Sequence, residues 1–246
     1  MKHLLYSALL MSLFSCNQKE QPMPQGSDKP LTAKDSVAVV NDPKVNLNVQ
    51  MDAYNEVDSS AVLLFPLSVS ENEDKNGYAR SYKDMPNNEY WNIAFLNSKT
   101  NEYHLLGENK MLISSYEYNL EGYEKSKALD QKIFYTIKTT DYNKDKLINE
   151  KDPAYLFVSD KRGYNFKQIS PSNYHFVKWT YIDSSNKIIL TLKKDTDKNY
   201  LFDEKDETVM YDVAASFDKD AAEIFSVDFK NKLKVLFDRD WKRVKQ

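Results

Sequence analysis

Alternation of hydrophobic and polar residues begins at Val45 and dominates the chain from there on. Val45, Leu47, Val49 and Met51 alternate with polar residues, which predicts a half-buried strand because successive strand side chains point to opposite faces. Further short runs, at 62–65, 132–137 and 187–192, are β-branched or aromatic-rich and apolar on both faces. These runs are typical of central strands. Residues 121–131 have helical composition without a persistent apolar stripe, so no long amphipathic helix is predicted.

The strand segments form a repeat when they are placed under one another. Each unit contains four strands, and repeated four-stranded meanders are the structure of propeller blades. We therefore expect an all-β fold of antiparallel, β-propeller-like meanders. The predicted strands are 45–51, 62–69, 91–96 and 103–106 in unit one; 114–119, 132–138, 155–159 and 166–170 in unit two; and 175–182, 187–193, 208–213 and 222–226 in unit three.

Three blades are too few for an ordinary ring, since propellers typically have 4 to 8. Three alternatives follow for this fold of three to four blades. Residues 227–237 complete a fourth blade with the N-terminal strand, the sheet stack stays open, or two chains combine. We expect the first of these, closure within one chain.

The chain between the second and third strands of units two and three carries oxygen-bearing side chains at calcium spacing. An EF-hand-type loop supplies side chains at positions one, three and five, a carbonyl at seven, often water at nine and a carboxylate at twelve. Both twelve-residue segments meet that pattern and end in Glu-Lys-Asp. The candidate ligands are Asp141, Asn143, Asp145, the carbonyl of Leu147, Asn149 and Asp152 in the first loop, and Asp195, Asp197, Asn199, the carbonyl of Leu201, Asp203 and Asp206 in the second.

Two features of these loops depart from the EF-hand pattern. Position six, usually glycine, is Lys146 in one loop and Tyr200 in the other, and position twelve is the shorter aspartate. Soluble polar turns are the alternative interpretation, because Asp and Asn favour turns. Two instances at the same place in a repeat favour calcium. The second loop has four aspartates at ligand positions against three in the first, which predicts tighter binding there.

One segment of unit two resembles the blade signature of TolB-type β-propellers. In that signature a strand, an Asp-x-x-Gly-x-Asn turn and a second strand ending near Ser-Pro recur, and residues 155–171 contain Asp160, Gly163, Asn165 and Pro171 at the matching places. Units one and three match loosely. The resemblance implies a binding or scaffolding propeller.

The N-terminus has the pattern of an export signal. Residues 4–14 are largely apolar and too short to span a bilayer as a helix, as expected for a signal-peptide core. They end in Leu-Phe-Ser-Cys16, which resembles a bacterial lipobox, and Cys16 is the only cysteine of the chain. We therefore predict lipidation at Cys16 and a place in the bacterial cell envelope, attached to a membrane through the N-terminal lipid. An ordinary signal peptide cut nearby is the alternative.

These predictions divide the chain into three parts. Residues 1–16 form the signal peptide, 17–44 a polar, proline-punctuated tether, and 45–246 the β-propeller-like domain with its two calcium-type loops. A domain of this size, with 41% hydrophobic residues, can bury an ordinary core.

Charge and motif content narrow the function. The net charge is -3 and residues of both signs are interspersed, so the sequence lacks the basic patch typical of a nucleic-acid-binding protein. No nucleophile or phosphate-binding motif is present, and the histidines His104 and His175 lie in strand patterns, where a structural imidazole is typical. We expect a non-enzymatic lipoprotein that binds an unidentified protein or glycan partner. The alternative is a hydrolase or glycan-handling protein, since any two of the many acids can converge in a fold.

Aromatic residues in the strands allow two interpretations. Strand aromatics usually belong to the core, whereas a sugar- or peptide-binding face also uses them. The residues concerned are Trp91, Tyr116, Tyr118, Trp179 and Tyr181.

Overall fold

A computed structural model describes residues 49–58, 60–69, 89–118 and 127–242 of the chain. Most of these residues lie in strands, and the strands form three antiparallel sheets that follow one another in sequence. The predicted signal peptide, Cys16, the tether and the long loop after unit one's second strand lie outside the described residues.

Sheet 1 is a meander whose first strand is interrupted. β1 pairs with one end of β3 and β2 with the other, so together they form one outer strand broken at residues 52–54. β3 then pairs with β4, and β4 with β5. The bounds are β1 Val49–Met51, β2 Asn55–Val57, β3 Val62–Val69, β4 Asn92–Asn97 and β5 Glu102–Leu105.

Sheets 2 and 3 are four-stranded meanders with neighbouring strands paired in sequence order. The predicted repeat of four-stranded antiparallel units is therefore confirmed, although the fourth strand is only two residues long in each. Sheet 2 contains β6 Leu112–Glu117, β7 Lys132–Lys138, β8 Tyr155–Asp160 and β9 Lys167–Gln168, with the short helix α1 Lys127–Asp130 before β7. Sheet 3 contains β10 Tyr174–Ile182, β11 Lys187–Lys194, β12 Glu207–Ala214 and β13 Ala222–Glu223.

Sheet 2 lies between the other two sheets and contributes to two hydrophobic cores. Strand side chains alternate between faces, so Ile133 and Tyr135 pack with sheet 1, while Phe134 between them packs with sheet 3. In β8, Tyr155 joins the first core and Leu156 the second. Burial on both faces explains why β7 and β8 read as continuous apolar runs.

The predicted fourth blade is wrong, because its residues form a helix. α2 spans Val227–Asp240 and follows β13 directly. Ser226, placed in the predicted last strand, is instead the N-cap, and its side chain accepts a hydrogen bond from Phe229 N. Asp228 in the first turn and Arg239 in the last suit the helix dipole. The expectation that the chain has no long helix is wrong for the same reason.

The described part of the chain shows three stacked sheets and no closed ring. Closure by residues 227–237 within one chain, which we expected, does not occur. Within 121–131, where the composition is helical but no long helix was predicted, the short helix α1 occupies Lys127–Asp130, and residues 121–126 lie outside the described residues. Among the described residues, no helix is long and apolar enough to cross a membrane.

Candidate metal centre

The two calcium-type loops occupy equivalent places in neighbouring sheets. The first connects β7 to β8 in sheet 2, and the second connects β11 to β12 in sheet 3. Each joins two adjacent antiparallel strands, as the repeat predicts. Position one is Asp141 in the first loop and Asp195 in the second.

The backbone of both loops is held by the same hydrogen bonds to ligand-position side chains. The N–H of position five donates to Oδ1 of positions one and three, at 3.0 Å in the first loop and 3.2 Å in the second. Position six donates to Oδ2 of position one at 2.8 and 3.1 Å. Position seven donates to the position-five side chain at 2.9 and 2.7 Å. The two loops differ at six of their twelve positions and still fold the same backbone around the same set of acceptor positions.

The carboxylate at position twelve closes each loop. Its Oδ1 accepts the N–H of position two at 2.8 Å in both loops, and its Oδ2 accepts the N–H of position nine at 2.9 and 3.0 Å. Asp152 and Asp206 are both buried. An ionised carboxylate has about four lone-pair sites, so each of these groups keeps acceptor capacity for a cation.

The position-nine side chain continues the pattern. Its Oδ1 accepts the N–H of position eleven at 2.8 Å in the first loop and 2.7 Å in the second. Asparagine stands there in the first loop as Asn149 and aspartate in the second as Asp203. Both residue types supply the same acceptor, so the hydrogen bond does not distinguish them and the difference between the loops is one of charge.

Position six turns sharply although it is not glycine. Lys146 has φ 75° and Tyr200 has φ 64°, and the position-four residues Lys144 and Lys198 have φ 62° and 60°. This left-handed region is unfavourable for residues with a Cβ. The departure from the EF-hand pattern is therefore one of residue type, since the backbone takes the conformation that favours glycine.

Three carboxylates of the second loop gather closely enough to hold a metal ion. One oxygen from each of Asp195, Asp197 and Asp206 lies within 4.8 Å of the others. Repulsion between three ionised groups at this separation is relieved by a cation. The first loop has Asn143 at position three, where the second has Asp197, so it carries less charge at the same place. The carbonyls of Leu147 and Leu201 belong to position seven, directly after the turn at position six.

The side chains at positions three and five contact each other in both loops with their roles exchanged. Asn143 Nδ2 donates to Asp145 Oδ2 at 3.1 Å, and Asn199 Nδ2 donates to Asp197 Oδ2, also at 3.1 Å. The hydrogen bond from Leu147 N is the main cause that holds the pKa of Asp145 below its usual range. Asp145 is therefore ionised at neutral pH and available to a cation.

A contact between the loops was not predicted from the sequence. Tyr142, at position two of the first loop, donates its hydroxyl to Asp195 Oδ2 of the second at 3.2 Å. Its ring lies 5.2 Å from that of Phe202 and 5.8 Å from that of Tyr200. Burial, followed by the charge of Asp195, raises the pKa of Tyr142 to about 12. Loop spacing carries no signal for this contact, because it depends on how sheets 2 and 3 pack.

Both predicted structural histidines lie in strands and pack against aromatic rings. His175 Nδ1 accepts the N–H of Ala154 at 3.2 Å, and burial, together with Lys138 and Lys193, lowers its pKa. His104 stacks between Phe95 and Tyr164, at 5.3 and 4.2 Å, and burial lowers its pKa as well. Both imidazoles are neutral at pH 7 and act as packing groups.

The strand aromatics also pack against the cores. Tyr116 and Tyr118 cover the first core, and Trp179 and Tyr181 cover the second. Trp91 is partly buried at the start of β4. The arrangement favours the core interpretation of these residues over a sugar-binding face.

The turn that resembles the TolB signature is organised by its first aspartate. Asp160 Oδ1 accepts the N–H groups of Arg162 and Tyr164 at 2.9 and 3.0 Å, and Oδ2 accepts Asn165 Nδ2 at 3.2 Å. Gly163 and Asn165 both have positive φ. The spacing Asp-x-x-Gly-x-Asn is therefore a requirement of this tight turn.

The fold and the loops together define a class, a stack of antiparallel β-meanders with acidic loops between neighbouring strands. No protein-family model matches the chain, and no curated protein is significantly similar to it.

Proposed function

We propose that this chain is a calcium-stabilised β-repeat protein of the bacterial cell envelope, anchored by lipid at Cys16 and serving as a binding or scaffolding module. The observation that carries the calcium part is the shared hydrogen-bond pattern of the two loops. Seven equivalent bonds fix ligand-position side chains in both loops, although the loops differ at six of their twelve positions.

The donor set favours calcium among metals. Every candidate ligand is an oxygen, from carboxylates, amides and backbone carbonyls, and hard cations prefer such ligands. Calcium accepts six to eight oxygens in flexible geometry, whereas magnesium requires a near-ideal octahedron. The candidate ligands contain no imidazole or thiol, the groups typical of zinc sites.

Calcium in these loops is structural in this proposal. Each loop joins adjacent strands of one sheet, so a bound ion holds a hairpin that is already formed. Sensor EF-hands work differently, because calcium there opens a groove between helices. Binding to the folded state alone stabilises it, by about 2.7 kcal/mol per site at a calcium concentration of one hundred times Kd.

Thermal unfolding with calcium, magnesium or a chelator tests the calcium site. We expect calcium to raise Tm above the chelated value and magnesium to raise it less. Asp197→Asn should reduce the calcium shift, because the second loop then has the charge of the first, and Asn143→Asp should increase it. Asp220→Asn, an exposed aspartate outside both loops, is the matched control and should leave the calcium shift unchanged.

An unchanged Tm after chelation of a metal-loaded sample means that the loops are only polar turns. An equal shift with Asp220→Asn and Asp197→Asn means that calcium acts through general surface charge.

The membrane anchor is tested separately at Cys16. The full-length protein should incorporate labelled palmitate and partition into detergent, and Cys16→Ala should abolish both. Soluble protein with an unmodified Cys16 contradicts the anchor and leaves the calcium proposal standing.

The contacts of the histidines and of the loop carboxylates support a binding or scaffolding role. Both histidines of the domain are packing groups, and the candidate acids accept backbone hydrogen bonds inside the loops. Incubation with envelope glycans and candidate peptides, with assays for both binding and turnover, tests this part. Turnover of any of them contradicts it.

A further inference from the structure

The outer face of sheet 1 is apolar and lies away from both cores. We define this face by the residues Leu63, Phe65, Ala94, Leu96, Tyr103 and Leu105, none of which belongs to either buried core cluster. Cross-strand partners share a face, and these residues pair with one another: Leu63 with Leu96, Phe65 with Ala94, Ala94 with Leu105, and Leu96 with Tyr103. Leu63 also pairs with Glu56 of β2, which places one acidic residue at the edge of this face. Tyr103 is 82% exposed and Leu105 is 42% exposed.

Helix α2 carries a second exposed apolar surface. Phe229, Leu233, Leu236, Phe237 and Trp241 follow one another at intervals of three, four or one residues and so form one stripe along the helix and its C-cap. Their exposed fractions run from 37% at Leu236 to 75% at Trp241. No residue of α2 is buried. An amphipathic helix normally buries such a stripe, because packing of the apolar face supplies most of its stability.

We propose that the apolar stripe of α2 docks on the apolar outer face of sheet 1 in a second copy of this chain. One contact then covers both surfaces. Contiguous exposed apolar surface typically marks an interaction site. On this molecule it is supplied by the α2 stripe and by Tyr103 and Leu105 of sheet 1, beside the half-buried Leu63, Phe65, Ala94 and Leu96.

The order of the sheets favours a second copy over contact within one chain. Sheet 2 lies between sheets 1 and 3, with its two faces in the two cores. α2 follows the last strand of sheet 3 and is linked to β13 by the ion pair between Lys230 and Glu223. The stripe and the outer face of sheet 1 thus belong to opposite ends of the stack.

Charge complementarity favours the same partner. The described residues of sheet 1 and its turns, 49–58, 60–69 and 89–106, carry one basic residue against five acidic ones. Two of the acids, Glu89 and Asp58, form ion pairs with Lys138 and Lys161 outside the sheet, which leaves three acids against one base, a net charge of -2. Residues 227–242 carry five basic residues against three acidic ones, and Lys230 pairs with Glu223, which leaves a net charge of +1. Opposite charge around two apolar surfaces steers them together and disfavours contact between like surfaces.

The dimensions also match. At 1.5 Å per residue the 14 residues of α2 extend about 21 Å. Three gaps of about 4.8 Å between the four strands of the sheet give a width of about 14 Å. The helix is therefore long enough to cross all the strands of the outer face.

Site-specific photocrosslinking of the full-length protein in cells tests the contact. A benzophenone amino acid at Phe237, within the stripe, should give an adduct of twice the chain mass whose crosslinked peptide contains β4 or β5. The same group at Asn231, on the opposite side of α2, is the matched control and should give little of this adduct.

Charge substitutions in α2 test the apolar contact itself. Leu233→Asp in the photocrosslinkable chain should reduce the double-mass adduct at least tenfold, whereas Asn231→Asp adds the same charge outside the stripe and should leave it. Because no side chain of α2 is buried, both variants should retain the circular dichroism of the β-sheets.

Four results overturn the proposal. They are an adduct with lipid, an adduct with a different protein, an adduct confined to a single chain, and the absence of a double-mass adduct from Phe237. Loss of the adduct in Asn231→Asp as well would show that the apolar stripe does not determine the contact.

Discussion

At the scale of single residues, the two loops adopt the same backbone conformation because side-chain oxygens at the same positions accept the same backbone N–H groups. Lys146 and Tyr200 occupy the left-handed region at position six, where glycine is usual. The N–H of each donates to the position-one carboxylate at 2.8 and 3.1 Å. Left-handed conformations of such residues are unfavourable by about 1–2 kcal/mol. The hydrogen bonds offset this, so glycine is dispensable here.

Tyr142 couples the loops at a single hydroxyl, and its titration gives a pH-dependent prediction. Its pKa in the folded protein is raised from 10.0 to about 12. The folded state therefore holds this proton more tightly than the unfolded state. Its stabilising contribution is fully present below pH 10 and is lost as the pH rises through about 12.

The variant Tyr142→Phe should lower the free energy of unfolding by about 1 kcal/mol below pH 10. The difference from the wild type should shrink between pH 10 and 12, as measured by urea unfolding of the metal-free protein. Tyr54→Phe, at a tyrosine that is 61% exposed, is the control and should change little. A difference for Tyr142→Phe that stays constant through pH 12 contradicts the role of the hydroxyl.

Much of the loop was predictable from residue spacing, and the contact between loops was not. The same ligand positions recur in both loops, and such a recurrence is visible in the sequence. The contact between Tyr142 and Asp195 joins residues of two sheets. This contact depends on how the sheets pack, so the residue spacing within one loop does not predict it.

At the scale of elements, the turn between β8 and β9 carries packing between sheets 1 and 2. Gly163 has φ 83°, and a Cβ built there would lie 2.5 Å from Cε2 of Phe95 in sheet 1. Phe95 is buried, and close packing in a protein core opposes a shift of its ring. The turn glycine thus serves two purposes, the left-handed backbone and the close approach of an aromatic ring.

The variant Gly163→Ala should destabilise the protein by about 2–4 kcal/mol, because left-handed strain and overpacking add. Gly107→Ala is the matched control. Its nearest neighbour is Cε of Met111 at 2.9 Å, the end of a flexible side chain, so a smaller loss is expected. Chemical unfolding of both variants measures the difference. Equal losses contradict the role of Phe95.

The strands were predictable because their apolar residues alternate or run continuously, and α2 was missed for a related reason. Val235, Leu236 and Phe237 form a short apolar run that strands and helices share. The signals that distinguish the helix lie around that run: the N-cap Ser226, Asp228 in the first turn and the spacing of Phe229 and Leu233.

At the scale of the whole molecule, the two cores are joined through one sheet. Neighbouring residues of β7, such as Ile133 and Phe134, face different cores. Loss of packing in either core therefore weakens sheet 2. The succession of four-stranded sheets along the chain was predictable from the repeat. Closure of the sheets into a ring was not predictable, because ring closure depends on the ends of the chain, where the repeat stops.

The shared sheet predicts that the described β-structure unfolds as one cooperative unit. Ile133 lies in the first core and Ile188 in the second, and both are fully buried. Ile133→Ala or Ile188→Ala should each cost about 2–5 kcal/mol through lost burial and a cavity. If the sheets unfold together, either variant should lower amide-exchange protection equally in β4 of sheet 1 and β11 of sheet 3.

Ile189→Ala is the control for this experiment, since Ile189 lies beside Ile188 on the other face of β11 and is only partly buried. It should have a smaller effect on both strands. Hydrogen exchange in chelated protein, followed at β4 and β11 under conditions where exchange reports global opening, measures all three variants. If Ile188→Ala lowers protection in sheet 3 alone, the sheets are independent units and the layer between them does not transmit stability.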